Sequence, residues 1–330
     1  MNSFAIANCT TLDGALSQLK DGAVVKAGGV DLLDRMKNGI EQPPKLVNIR
    51  SISGLRGIHE TDKGLTIGAL TTLSEISEHP AVRKQYQILS DACGHAATPH
   101  IRNMATLGGN LLQRIQCWYY RSADFACLRK GHDMCFAFDG LNQYHAIMDY
   151  GACPAVAPSS AAVALLGLNA SVELTSPKGK RVIGIKDLYA GDDPAMFNAL
   201  APDEILTSVT IPKPASGTRS AYQKYGEKES FDWAIADAGV VLEMDGNLCK
   251  RAVITMGAAS PVVRRSPQAE AALAGKPINE ENARAAGKAA MEGARPLSMN
   301  AYKVELFPVA IYRTILLAAG QMDRDPSAAG

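Results

Sequence analysis

Over the first hundred positions, short runs that are apolar throughout or at every second residue alternate with stretches whose apolar residues return every three or four. Thr11 is placed to cap a helix carrying Leu12, Ala15, Leu16 and Leu19 on one face, and "AVVK" at 23–26 then reads as a strand. A glycine turn follows, and the spacing predicts a helix from about Val30 to Lys37. "KLVNI" at 45–49 and "GLTIGAL" at 64–70 read as strands, "TLSEISEH" and "AVRKQYQILSDAC" as helices.

Further along, "PSSAAVALLGLNA" at 158–170 has the Pro-Ser start and dense apolar filling of a packed helix, and "ASVELT" returns to strand. "KPASGTR" at 213–219 gathers proline, glycine and serine without periodicity and reads as a linker. Beyond it "SAYQKYGEK", "AIADAGVVLEMDG" and "LCKRAVITMGAA" read as strands, with "DGN" at 245–247 as a hairpin turn. Helical patterns close the chain at about 266–274, 279–294 and 300–322, and the tail "DRDPSAAG" is expected to fray. The pattern is mixed α and β, without internal repeats.

Bulk properties narrow the function classes. The 330 residues are 47% hydrophobic and 20% charged, with a formal charge of +1. That is enough material for two or three ordinary domains. The apolar runs stop short of the roughly 18 residues that span a bilayer, so no membrane span is expected. The charge shows no concentrated basic excess, so no nucleic-acid partner is expected. The start "MNSFAIANCTTLDG" lacks the basic and apolar regions of an export signal, which points to a reducing cytoplasm. Co-export to the periplasm with a signal-bearing partner is the alternative.

Four of the seven cysteines, Cys117, Cys127, Cys135 and Cys153, lie within 37 residues. A disulfide framework is disfavoured in a reducing compartment, which leaves metal ligation, redox chemistry or free thiols. No pair has the CxxC spacing of common zinc sites, whereas widely spaced thiolates suit a loop wrapped around a cubane cluster. Spacing alone leaves iron–sulfur, zinc and free thiols open. Arg114, Arg121, Arg129 and Lys130 could offset thiolate charge, Trp118, Tyr119 and Tyr120 could shield a cluster from water, and His132 and His145 read as ordinary loop residues. Cys9, Cys93 and Cys249 read as small buried hydrophobes.

Two glycine pairs carry the other candidate chemistry. Gly28 and Gly29 sit between a strand and a helix, where backbone N–H groups can approach a phosphate. Gly108 and Gly109 follow Thr106 and precede Asn110, which offer hydroxyl and amide partners.

"VVKAGGVDLL", "LTIGALTTLSEI", "IRNMATLGGNL" and "YQKYGEKESFDWA", in this order, resemble the FAD-binding subunit of the xanthine dehydrogenase family of molybdenum hydroxylases over nearly the whole chain. The likeness is to the branch with a [4Fe-4S] cluster in an inserted loop, aldehyde oxidoreductases nearest and hydroxybenzoyl-CoA reductases more distant. It implies an α+β fold: an FAD-binding domain of two α+β subdomains of the PCMH/vanillyl-alcohol-oxidase type, then a smaller αβ C-terminal domain of the CO-dehydrogenase-flavoprotein type. The implied boundaries are 1–176 for the FAD-binding domain, divided near 55 with the cluster loop at about 113–155, then 177–216 as a connecting segment and 217–325 as the C-terminal domain.

By the same likeness the pyrophosphate loop is Lys26, Ala27, Gly28, Gly29, Val30, Asp31 and Leu32, where Val30 replaces the usual small polar residue. Thr71, Thr106, Gly109 and Asn110 match further FAD positions, Leu206 an apolar contact to the ring and Lys224 a lysine near it. Cys117, Cys127, Cys135 and Cys153 match the cluster ligands. The implied function is electron transfer by FAD and [4Fe-4S] in aldehyde oxidation, between an external acceptor and partners that hold molybdopterin in a large subunit and two [2Fe-2S] clusters in a small one. Alternatives are a hydroxybenzoyl-CoA reductase or N-heterocycle dehydrogenase subunit, a stand-alone FAD oxidase, and a zinc-loop scaffold without activity. Ser160 stands where relatives generally carry an aspartate beside the ring. Ser160→Asp is therefore expected to shift the flavin potential in a redox titration; an unchanged titration would place residue 160 away from the ring.

Overall fold

The computed structural model describes residues 1–189, 196–228 and 231–324. Residues 190–195 of the expected connecting segment, Glu229 and Ser230 of "YQKYGEKESFDWA", and 325–330 of the tail lie outside the described residues.

The chain begins with β1 (Ala5–Asn8), α1 (Leu12–Gln18), β2 (Val24–Lys26), α2 (Val30–Lys37) and β3 (Lys45–Asn48). The strands form a parallel sheet in the order β1-β3-β2. Thr11 caps α1 through its side chain, as its position suggests. Ala15, Leu16, Val47 and Ile49 form the core of this small unit.

The second unit opens with β4 (Ile58–Thr61) and β5 (Gly64–Gly68), followed by α3 (Leu73–Glu78), α4 (Pro80–Gln85) and α5 (Gln87–Gly94). Next come α6 (Pro99–Arg102), α7 (Leu107–Leu111), α8 (Trp118–Arg121) and α9 (Ser160–Gly167). It closes with β6 (Ser171–Ser176), β7 (Gly179–Gly184) and β8 (Ile205–Pro212), which join an antiparallel sheet in the order β4-β5-β8-β6-β7. The stretch read as one helix over 81–93 is two, because Tyr86 leaves helical geometry at φ −131° and ψ 48°. Residues 177–216, read as a connecting segment, contribute an edge strand and the central strand β8. Val172, Leu174, Val209 and Ile211 turn from this sheet into a core shared with α5 and α9.

The last unit is an antiparallel sheet of β9 (Thr218–Tyr225), β10 (Ala236–Asp245), β11 (Leu248–Gly257) and β12 (Arg264–Arg265), with α10 (Pro267–Leu273), α11 (Glu280–Ala289) and α12 (Tyr302–Ala319). Alternate residues of β10 face opposite cores: Ala238, Val240 and Leu242 meet Phe307, Ile311 and Ile315, whereas Val241 joins the core of the second unit. β10 is thus buried on both faces and, with Ala221 and Tyr222 of β9, binds the last unit to the second.

Between α7 and α9 the chain makes a long irregular excursion that α8 barely interrupts. Three buried polar residues hold its far end on the last unit. Asn142 donates from Nδ2 to the Ala137 carbonyl and Ser298 Oγ, and its Oδ1 accepts from the Met299 N–H. Asn300 donates to the carbonyls of His145 and Ala146, both at 3.1 Å, and accepts from the Leu297 N–H. Lys303 Nζ adds bonds to the carbonyls of His145 at 3.0 Å and Ala258 at 2.6 Å, and burial pushes its pKa down to about 7. A buried acceptor stripped of its donor loses roughly 1–3 kcal/mol. Asn300→Ala should therefore lower unfolding free energy by about 1–3 kcal/mol in urea titration, with the change confined to stability and not to the slope of the transition.

Candidate cofactor cleft and cysteine loop

A cleft of about 850 Å³ opens where all three units meet. The β2–α2 turn supplies Ala27, Gly28, Gly29, Val30, Asp31 and Leu32; the α7 region supplies Thr106, Gly109 and Asn110. Ser160 comes from the start of α9, Leu206 from β8 and Lys224 from β9. The cleft thus collects twelve of the fourteen residues expected at the cofactor. Phe231 and Trp233, half or more exposed, form a rim that sequence reasoning did not single out.

Lys26 and Thr71 do not line the cleft. Lys26 lies just behind the turn, its Cε 3.1 Å from the point a Cβ on Gly29 would occupy, and burial followed by the nearby Arg50 lowers its pKa. The buried Thr71 hydroxyl is committed to the backbone of Gly57, donating to its carbonyl at 3.1 Å and accepting from its N–H at 3.0 Å. Thr71 acts on the site indirectly: its carbonyl accepts from the N–H of Leu107 at the start of α7.

The two glycine loops touch through bare backbone. A Cβ on Gly28 would lie 2.0 Å from the Met104 carbonyl oxygen, a distance no side chain can occupy. Gly29 sits at φ 83°, a left-handed conformation that glycine adopts without strain. It offers α2 no side-chain cap, and the first helical bond runs from Leu33 N to Gly29 O. The N–H groups of Val30, Asp31 and Leu32 therefore enter the first turn without a capping side chain, in the cleft wall, with the helix dipole behind them. An anionic group fits that position. The α7 end differs: Thr106 Oγ1 accepts from the Gly109 N–H at 3.2 Å, so its hydroxyl oxygen serves as the cap. Asn110 Oδ1 accepts from Ser159 Oγ at 2.6 Å.

The Asp31 carboxylate faces away from this turn. It accepts from Arg35 Nε at 3.0 Å, from Arg121 at 2.7 Å and from the Arg114 N–H at 3.1 Å. Arg35 and Arg114 also pair with Glu41. Asp31 thereby fastens the start of the cysteine excursion to the cleft wall.

Within the excursion all four cysteines are free thiols. Ionisation of Cys117 is opposed first by burial, which pushes its pKa up to about 12, and also by Cys153 and Cys127. The Cys135 thiol is held up most by its hydrogen bond to Cys153 and also feels Cys117. The four sulfurs thus share one neighbourhood. Cys153 is drawn down, chiefly by the Cys135 hydrogen bond and then, against burial, by one from Arg129. Among the described residues, no three or more His, Cys, Asp or Glu side chains form a set that would hold a single metal ion.

Of the four cations expected to balance the sulfurs, only Arg129 is seen to contact one; Arg114 and Arg121 are taken by Glu41 and Asp31, and Lys130 by the carbonyls of Tyr119 and Ser122. Tyr119 and Tyr120 are buried beside the thiols, and Trp118 donates to the Leu141 carbonyl. His132 is exposed, whereas His145 is buried with Nε2 3.3 Å from Cys117 Sγ, a contact across 28 residues that spacing does not reveal.

Two family models match the chain: residues 2–214 fit the FAD binding domain in molybdopterin dehydrogenase, and residues 220–318 fit the CO dehydrogenase flavoprotein C-terminal domain. The chain is 38% identical over 245 residues to the aldehyde oxidoreductase FAD-binding subunit PaoB of Escherichia coli (strain K12), covering 72% of this chain and 76% of that one. It is 28% identical to the carbon monoxide dehydrogenase medium chain of Hydrogenophaga pseudoflava, covering 93% and 88%. In fold it is similar to a chain of quinoline 2-oxidoreductase from Pseudomonas putida 86, with a TM-score of 0.78, 26% identity and coverage of 98% and 99%.

Gly28→Ala forces a Cβ onto a backbone oxygen, and overpacking of this kind costs about 1–3 kcal/mol. Thermal unfolding should show that loss. Gly109→Ala, which meets only Thr106 Oγ1 at 3.0 Å, should lose clearly less.

Proposed function

The chain belongs to the family of FAD-binding subunits of molybdenum-containing dehydrogenases, and on that premise we propose that it carries electrons through FAD and a [4Fe-4S] cluster in an aldehyde-oxidising complex. The observation that carries the reading is the uncapped α2 turn: bare glycines, three N–H groups and Lys26 behind them, opening into a cleft long enough to involve all three units.

Residues of the cleft fit FAD. The turn at Gly28–Leu32 would hold the pyrophosphate through backbone N–H groups, which is why Val30 serves there without a hydroxyl. Leu206 would meet the ring system on an apolar surface, and Lys224, fixed by bonds to the carbonyls of His95 at 2.6 Å and Asp232 at 2.9 Å, would lie close to it. When bound, FAD accepts electrons singly from clusters and hands them on singly or in pairs. The chain's own task is to orient the cofactor and set its surroundings, and no acid, base or nucleophile of this chain is needed for chemistry on the organic substrate.

Cys117, Cys127, Cys135 and Cys153 suit a [4Fe-4S] cluster by donor type. A cubane spreads its thiolates more widely than a single ion does, so the hydrogen-bonded Cys135 and Cys153 would part to hold it. Arg129 would offset the charge, with Tyr119 and Tyr120 screening water. The proposed partners are a large molybdopterin subunit, where substrate would be oxidised, and a small subunit with two [2Fe-2S] clusters. Aldehydes are the favoured substrate class because the likeness to the aldehyde oxidoreductase subunit is high and extends over most of the chain. No helix among the described residues is long and apolar enough to cross a membrane. The proposed site of action is the cytoplasm, or the periplasm after co-export with its partners.

Anaerobically purified protein should show flavin absorption bands with a broad iron–sulfur shoulder and contain iron and acid-labile sulfide. Cys135→Ser should lose the iron and keep the flavin. Stoichiometric FAD without iron in the wild type would remove the cluster from the reading; a colourless zinc protein would remove both.

A further inference from the structure

His145 is closed off from water, 2% exposed, on the same excursion as the four cysteines. Its Nε2 lies 3.3 Å from Cys117 Sγ, within hydrogen-bonding distance for nitrogen and sulfur. The main chain fixes the residue from two sides. Its N–H donates to the Asn142 carbonyl at 3.0 Å, and its carbonyl accepts from Asn300 Nδ2 at 3.1 Å and Lys303 Nζ at 3.0 Å. His145 is thus held to the last unit while its ring reaches the thiols.

Aromatic walls confine that ring. Trp118 crosses it at 63° with ring centres 5.8 Å apart, and Tyr119 lies 6.4 Å away. Both follow Cys117 directly, at the start of α8, so one turn of chain supplies the sulfur and the two walls. A ring confined in this way keeps its nitrogen on the sulfur without help from solvent.

The position of the ring proton decides which atom donates. A neutral imidazole carries one N–H. Nδ1 is buried and has no hydrogen-bond partner among the described residues, so a proton there would be a buried donor left unpaired, an unfavourable state. On Nε2 the proton points at Cys117 Sγ. A thiol that ligates a metal has lost its own proton and can only accept.

We propose that His145 donates Nε2–H to Cys117 Sγ, orienting that ligand and raising the reduction potential of the cluster it would hold. The proposal rests on the cluster reading. An N–H aimed at a ligating sulfur favours the reduced form, in which the sulfurs carry more negative charge, and hydrogen bonds to sulfur are among the features that set such potentials. No proton is transferred, because the nitrogen keeps its hydrogen in both redox states. His145 acts on the iron through Cys117 and is a positioning residue.

The test is a potentiometric titration of the anaerobically purified full chain, read by the paramagnetic resonance of the cluster and the absorbance of the flavin. His145→Phe keeps a ring and removes the donor; its cluster should titrate at lower potential than the wild type while the flavin potential stays in place. His145→Gln, whose amide can donate, should recover part of the shift. A wild-type cluster potential in His145→Phe overturns the proposal, as does an equal fall in cluster and flavin potentials, which marks a general loosening of the fold.

The ring also gives a readout that needs no iron. In the iron-free full chain, labelled at its histidine nitrogens for magnetic resonance, His145 should be the Nε2–H tautomer, with an Nε2 signal that moves in Cys117→Ala. An Nδ1–H tautomer, or an Nε2 signal unmoved by that change, overturns the proposal, and this result decides if His145→Phe fails to hold iron. A wild-type chain that lacks iron but gives the expected nitrogen signals would count against the cluster reading and leave the hydrogen bond to Cys117 standing.

Discussion

The approach of the Gly28 backbone to the carbonyl oxygen of Met104 governs the architecture around the cleft. It joins a turn of the parallel sheet to the loop before α7, and no residue with a side chain can make the contact. Because the two loops meet through backbone, the groups facing the cleft there are N–H donors of fixed direction. Their positions are set by main-chain geometry and not by rotamers. Such donors are pre-organised, and binding an anion costs them little ordering.

Side chains around the cleft are correspondingly occupied elsewhere. Asp31 gathers two arginines and an N–H from the excursion, Thr71 holds Gly57, and Thr106 caps α7. The side chains of these three residues thus bond to the protein around the cleft. Asp31 illustrates the division well. Its backbone N–H stands in the uncapped first turn of α2, while its carboxylate anchors the segment that leads to the cysteines.

Elements with strong one-sided periodicity were legible in the sequence: α2 runs over Val30–Lys37 as its spacing predicts, and the three closing helices and the 245–247 hairpin fall where they were read. The central strand β8 was not, because prolines at 202, 212 and 214 frame it and suggest a connection, while its partners β5 and β6 are far away in sequence. The break at Tyr86 has no glycine or proline to announce it. The cleft residues were found through motifs, and twelve converge because the glycine loops impose one geometry on the backbone. Thr71 escaped because nothing local reveals that a hydroxyl will bond 14 residues upstream. His145 escaped for the same reason, its contact with Cys117 being set by the docking of the excursion.

The excursion between α7 and α9 is tied at both ends to different bodies. Near its start Arg121 grips Asp31 in the first unit, and near its end Asn142 and His145 are held by residues 298–303 of the last. It consequently behaves as a strap and not as a detachable module. Excising it from the gene would spare the three sheets on paper yet sever a buckle between the chain's opening and closing units, so a shortened descendant would have to evolve a new fastening before it could dispense with the thiols.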